Sequence, residues 1–172
     1  MARYKEYAGE SVQELCFIHN LDEKLTYERA RMLLSAYRQM CFSRSLDGNT
    51  SQEELVGRDP RKAIQFLESF DPKTDRQDFL CTLRDQVEKN WIIDMVDTSM
   101  MRLREYEDQG RRYFDIVNRT YMVKLKYSES EMLEDLQCER TCYYVRKKEA
   151  VTLFGVCFWG SVLPEMKASL GL

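Results

Sequence analysis

Histidine, proline and glycine are scarce in this chain, and each shortage removes a class of structure or chemistry. One histidine, His19, in 172 residues leaves nothing from which to build a Ser-His-Asp triad or an imidazole metal site. The six cysteines, at positions 16, 41, 81, 138, 142 and 157, include no Cys-x-x-Cys pair, so neither a structural zinc nor any other cofactor is expected. A glycine-rich phosphate loop is missing, and the many carboxylates fall at the spacing of helix surfaces, so the chain reads as something other than an enzyme. Only three prolines and seven glycines interrupt the pattern, and no segment alternates apolar and polar residues as a strand does, which points to an all-α fold. No apolar run is long enough to span a bilayer, so no membrane is expected as a partner. The opening residues, Met-Ala-Arg-Tyr-Lys-Glu-Tyr, lack the apolar core of a signal peptide, and a cytoplasmic location is the default expectation.

What remains is a chain with 44% hydrophobic and 32% charged residues, the balance of a folded protein and not of a disordered tail. Its length suits one domain, or two small ones sharing a core. Its net charge of −3 argues weakly against a general nucleic-acid coat, but the distribution matters more. The first hundred residues come to about −4 and the rest to about +1. Basic residues gather at Arg102, Arg104, Arg111, Arg112, Arg119, Lys124 and Lys126, and again at Arg140, Arg146, Lys147 and Lys148, a local basic footprint in an acidic protein.

Helical periodicity runs almost throughout. Short helices are expected over 11–20 and, after Leu46-Asp-Gly-Asn-Thr50, from a capping box at Ser51–Glu54 to Gly57. A longer one spans 22–43, with Leu25, Ala30, Leu33, Leu34, Tyr37 and Met40 or Cys41 inward. Asp59-Pro60 opens another, and Asp71-Pro72 punctuates it. Residues 74–109 read as nearly unbroken helix, with a bend expected near Asp97-Thr-Ser99 and a continuous helix as the alternative. A further helix is expected over 111–125. Phe154, Phe158 and Trp159 are expected in the core or on a docking patch, and Gly160, Pro164 and Gly171 suggest a short tail over 161–172.

The clearest pointer to a task lies between Tyr127 and Phe154. Ser128 stands as an N-cap with Glu131 as its capping-box partner, and Met132, Leu133 and Leu136 give the short helix that follows an apolar face. Gln137-Cys138 is a tight break. Helical spacing resumes from Glu139 to Phe154, with Tyr143, Ala150, Val151 and Phe154 inward and Arg140, Thr141, Tyr144, Lys147 and Lys148 outward. This is the division of labour in a helix-turn-helix, whose second helix packs with one side and reads DNA with the other. Arg140 suits a bidentate guanine contact, or equally a phosphate contact or a surface ion pair. Tyr144 suits a phosphate or sugar contact, or partial burial. Lys148 suits phosphate, and Lys124 and Lys126 could grip the backbone or stand free in solvent. Glu139 is discordant: a carboxylate at a helix start suits the helix dipole and repels a phosphate. Cys138 and Cys142, four apart, could serve as a redox pair, or more plainly as small buried side chains.

These motifs carry a resemblance. Residues 100–160 resemble region 4 of sigma-70-type factors. In their wording, Gly110-Arg-Arg-Tyr-Phe-Asp-Ile-Val-Asn-Arg-Thr-Tyr121, Glu139-Arg-Thr-Cys-Tyr-Tyr-Val-Arg-Lys-Lys-Glu-Ala150 and the apolar ending Leu153–Gly160 are similar to the ArpU/RinA-type regulators of phage late transcription. The chain departs from that pattern at Glu139, where a capping serine is usual, and at Cys142, where threonine is usual. The resemblance implies a helical bundle with a C-terminal sigma-region-4-like helix-turn-helix: an N-terminal helical region over 1–90, a DNA-binding domain over 91–160, and a tail. It further implies a regulator of a phage or mobile-element operon that binds double-stranded DNA through Lys126, Arg140, Thr141, Tyr144, Lys147 and Lys148. RNA polymerase and a second copy of the chain are the other candidate partners. A helical adaptor that binds polymerase or another protein without touching DNA is the alternative.

Overall fold

Several helices in this protein begin at side chains that satisfy the backbone amides the first turn leaves free. The computed structural model describes residues 12–46 and 59–172, and among these the chain is helical with no strand. The capping box read at Ser51 lies outside the described residues. Helix α1 covers residues 12–18 and stops at Asn20, whose φ of 56° places it in the left-handed region that asparagine tolerates. Asp22 then accepts from the Leu25 amide at 2.7 Å and starts α2, Glu23–Leu46. Asp59 caps α3, Pro60–Ser69, and Asp75 caps α4, Arg76–Gln86, each accepting from the amide two residues on. Next come α5 (Lys89–Arg104), α6 (Gly110–Val117), a π-helical turn (Asn118–Met122), α7 (Glu129–Leu136), α8 (Arg140–Cys157), a second π-helical turn (Phe158–Val162) and α9 (Leu163–Ser169).

Three sequence expectations need correction. The stretch 74–109 breaks at Val87-Glu88, not near Asp97-Thr-Ser99. Both residues at the break are extended, and the Glu88 carboxylate accepts from the amides of Asn90 and Trp91 at 3.0 and 2.7 Å. Thr98 and Ser99 instead donate their hydroxyls to the carbonyls of Asp94 and Met95, four residues back, and stay inside α5. The helix expected over 111–125 shortens to α6 plus the π turn, closed where the Val123 amide donates to Asn118 O. The expected tail contains α9. Pro164 sits in its first turn, where a missing amide hydrogen leaves no bond unmade. Leu163 is buried, and the Glu165 carboxylate receives a two-pronged Arg102 guanidinium from α5.

The centre of the fold is α8. Every residue from Glu149 to Val156 is buried, so this half of the helix is enclosed on all sides, while the half nearer Arg140 keeps an open face. Helices α2, α5 and α6 pack around it. Contacts run in opposite order along α2 and α8: His19, just before α2, meets Gly160, Thr26 and Ala30 meet Gly155, and the Tyr27 ring meets Lys148, so the two helices are antiparallel. Leu33, Leu34, Ile92, Ile93, Met95, Leu103, Tyr113, Ile116, Phe154 and Phe158 form the heart of one buried cluster, to which α3 and α4 add Leu67, Phe70 and Phe79. Polar ties fix the layers. Trp159 Nε1 donates to Leu67 O at 2.8 Å, Arg29 Nε to Phe70 O at 3.2 Å, and Tyr37 Oη to Asp97 at 2.8 Å. Phe154, Phe158 and Trp159 are all core residues. Among the described residues no helix is long and apolar enough to cross a membrane.

The close crossing of α2 and α8 depends on Gly155. A Cβ there would lie 2.6 Å from Thr26 Cγ2, 3.1 Å from Thr26 O and 3.2 Å from Ala30 Cβ. Gly155→Ala is expected to destabilise the protein by about 1–3 kcal/mol through overpacking, despite alanine's better helix propensity. Adding Thr26→Ser, which removes the methyl group that collides first, should recover part of the loss. Urea denaturation of the two variants checks this.

Candidate nucleic-acid interface

The site is built from the short helix α7, the open half of α8 and the neighbouring face of α2. At the α7 N-terminus Ser128 and Glu131 form a reciprocal capping box: Glu131 N donates to Ser128 Oγ at 3.2 Å, and Ser128 N donates to Glu131 Oε2 at 2.8 Å. Gln137, at φ 50°, ends α7 in the left-handed region, and the Cys138 amide turns back to Leu133 O. Three residues therefore separate α7 from α8. Glu139 is exposed and precedes α8 without using its side chain as a cap. Met132 is buried, and Leu133 and Leu136 pack half-buried on the core.

Along α8, Tyr143, Ala150, Val151 and Phe154 are buried, while Arg140, Thr141, Tyr144 and Lys148 are exposed and Lys147 is half-buried. At 100° per residue, positions 140, 141, 144, 147 and 148 fall on one side of the helix. Between Arg140 and Lys148 there are four basic residues and no carboxylate. One of the four faces the wrong way for binding. Arg146, counted in the basic footprint, is buried: its Nη1 lies 3.1 Å from Glu149 Oε2, and Tyr113 Oη donates to that same oxygen at 2.8 Å. Burial works against the Arg146 charge, but the carboxylate beside it more than offsets this and holds the guanidinium above its usual range. Burial, then the bond to Glu149, raises the Tyr113 phenol. This trio ties α6 to α8 and is structural.

Each outward residue has particular surroundings. Glu129, on the first turn of α7, reaches across to α8. Its Oε1 lies 2.8 Å from Arg140 Nε, and its Oε2 accepts from Tyr144 Oη at 2.6 Å. The Arg140 side chain nevertheless remains 73% exposed, so this pair is a weak, screened contact. The Lys147 ammonium lies 6.0 Å from each of the ring centres of Tyr121, Tyr143 and Tyr144. Burial and then the Arg31 guanidinium of α2 lower its pKa from the ordinary lysine value, and the Glu129 carboxylate offsets this only in part. The Lys148 ammonium lies 5.6 Å over the Tyr27 ring of α2. Lys124 and Lys126 are exposed on the connection entering α7, and neither they nor Arg31, Lys147 and Lys148 form an ion pair among the described residues. Other basic residues of the footprint are occupied: Arg119 pairs with Asp135 of α7 and lies over Tyr127, and Arg102 holds Glu165.

Sequence reasoning did not single out Tyr27, Arg31 and Tyr121. Tyr27 and Arg31 flank the buried Thr26–Ala30 stripe one turn apart, a local signal, but only the α2–α8 crossing brings them to Lys147 and Lys148. All six cysteines are free thiols. Burial raises Cys138 and the neighbouring Cys142 raises it further, the opposite of what makes a thiol reactive. Comparison with protein-family profiles, curated proteins and solved structures found no match.

The division between structural and open basic residues can be measured. Glu149→Ala leaves Arg146 buried without its counter-charge and is expected to cost about 3–5 kcal/mol, whereas an Arg146→Met, Glu149→Leu double variant should recover most of that. Thermal unfolding followed by circular dichroism reads both.

Proposed function

We propose that this chain is a sequence-specific double-stranded DNA-binding regulator of transcription that lays the Arg140–Lys148 edge of α8 in the major groove. The observation that carries the reading is that edge: a helix face with exposed Arg140, Thr141, Tyr144 and Lys148 and half-buried Lys147, with no carboxylate of its own between residues 140 and 148, in a protein of net charge −3. Preceded by a capped short helix and a three-residue turn, it is shaped for groove entry with its core-facing side already packed. Arg140 is the base reader, and Lys147, Lys148 and Lys126 meet phosphates. The resemblance of residues 100–160 to phage late-transcription regulators gives the cellular setting: control of a phage or mobile-element operon.

Selection from a duplex library with a randomised core tests the reading, followed by titration of the selected duplex across a salt series. Wild-type affinity should fall steeply as salt rises. The Arg140→Ala, Lys147→Ala variant should lose at least about tenfold in affinity and lower the salt slope by roughly two. Equal binding by the two proteins, or no enrichment of any sequence, would remove the reading.

Glu129 favours a second reading, a helical adaptor for RNA polymerase or another protein. Its carboxylate engages both Arg140 and Tyr144, and α7 also carries Glu131, Glu134 and Asp135. The two readings part on Glu129→Gln. If α8 meets DNA, removing that charge frees Arg140, reduces repulsion of the backbone and raises duplex affinity severalfold. If the surface serves a protein, neither form is retained on DNA resin at moderate salt.

A further inference from the structure

The cationic face does not stop at α8. We propose that α2 supplies a second row of phosphate contacts, through Arg31 and Tyr27, continuous with Lys147 and Lys148, so that the first long helix grips the nucleic-acid backbone beside the groove that α8 enters. This rests on the duplex-binding reading and extends it to a helix outside the helix-turn-helix.

Three observations support it. First, α2 packs on α8 with the Tyr27 ring 5.6 Å from the Lys148 ammonium, which brings Arg31, one turn on from Tyr27, to the side of Lys147. The two cations disfavour one another, Glu129 offsets this only in part, and neither cation forms an ion pair among the described residues. Glu28, one turn before Arg31, forms no ion pair with it. Two like charges held near one another, with Glu129 acting on Lys147 but not ion-paired to it, are stabilised by an anion that bridges them. Second, the groups are fixed in place. Lys147 is half-buried against three tyrosine rings, and Lys148 lies over Tyr27, so neither pays the full entropy of ordering when an anion arrives. Third, donors are plentiful and acceptors few. The hydroxyls of Tyr27 and Tyr121 find no hydrogen-bond partner among the described residues, while the Tyr121 phenol is pushed up to about 12 by burial and by Tyr27 and therefore stays a donor at neutral pH. Arginine, two lysines and two phenols offer hydrogen-bond donors to a ligand that only accepts, which describes the phosphodiester oxygens of a nucleic-acid strand. The duplex reading of α8 selects this ligand over a free phosphate.

The test compares Arg31→Ala with Arg140→Ala and with Arg44→Ala, a control on the same exposed side-chain type about 20 Å farther along α2. Arg31 is exposed, so the variant should fold as the parent does. Titrations use the selected duplex and an unrelated duplex of equal length, with inorganic phosphate as competitor. Arg31→Ala should weaken binding to both duplexes by a similar factor, about threefold to tenfold, and lower the salt slope by roughly one, without changing the sequence preference. Arg140→Ala should change the preference, and Arg44→Ala should change nothing. Tyr27→Phe should repeat the Arg31 effect in smaller measure. If Arg31→Ala binds both duplexes as wild type does while Arg140→Ala loses preference, the α2 contact is wrong and the α8 reading stands. If the wild type binds no duplex, both are wrong. If millimolar inorganic phosphate displaces the duplex from wild type and the Arg31 variant alike, the anion is not held by Arg31 and the proposal fails.

Discussion

Where α2 crosses α8, Gly155 presents bare backbone to Thr26 and Ala30, and the two helices approach more closely than any side chain larger than hydrogen would allow. That contact decides the rest. It sets the register in which Leu33 and Leu34 meet the core beside Phe154, and it carries Tyr27 and Arg31 to the flank of Lys148 and Lys147. His19 against Gly160 extends the same seam, so the antiparallel pair is held over more than two turns. Helices α5 and α6 also pack against α8, and its Arg140 end is the part that reaches solvent.

Charge is handled differently on the two sides of α8. On the enclosed side Arg146 is neutralised by Glu149, whose carboxylate also accepts from Tyr113, as a buried guanidinium must be. On the open side Lys147 and Lys148 have aromatic neighbours, none of Lys147, Lys148 and Arg31 has an ion-paired carboxylate among the described residues, and Arg140 has one exposed, weak partner. Tyrosine rings orient a cation without neutralising it, so this face stays electropositive in an acidic protein. Glu129 acts in the other direction. It occupies the guanidinium and the phenol that a phosphate or a base would otherwise engage, and thereby sets how strongly the face must compete for a ligand.

Much of this was legible in the sequence wherever the determining interaction is local. The caps at Asp59 and Ser128, the break at Gln137-Cys138 and the inward positions of Tyr143, Ala150, Val151 and Phe154 all follow from neighbours a few residues away. The break at Val87-Glu88 was hidden because glutamate is an uncommon N-cap and the apolar spacing continues across it. Arg146 counted toward the basic footprint because nothing local shows its burial: the Glu149 carboxylate that pairs with it is completed by Tyr113, a residue of another helix. Arg31 could not be linked to the site at all, since its place there is a product of the α2–α8 crossing and not of its own neighbourhood. The π turn at Asn118–Met122 was read as continuing helix, and it is this turn that delivers Tyr121 to Lys147.

The central claim is that α8 and α2 present one phosphate-binding face. It is tested most directly by two-dimensional amide NMR of the labelled protein titrated with the selected duplex. The account predicts that amides of residues 140–148 and of residues 27–31 shift together and saturate at the same duplex concentration, while those of α4 and α9 stay in place. Shifts confined to α7, or a response in 140–148 with none in 27–31, would contradict it.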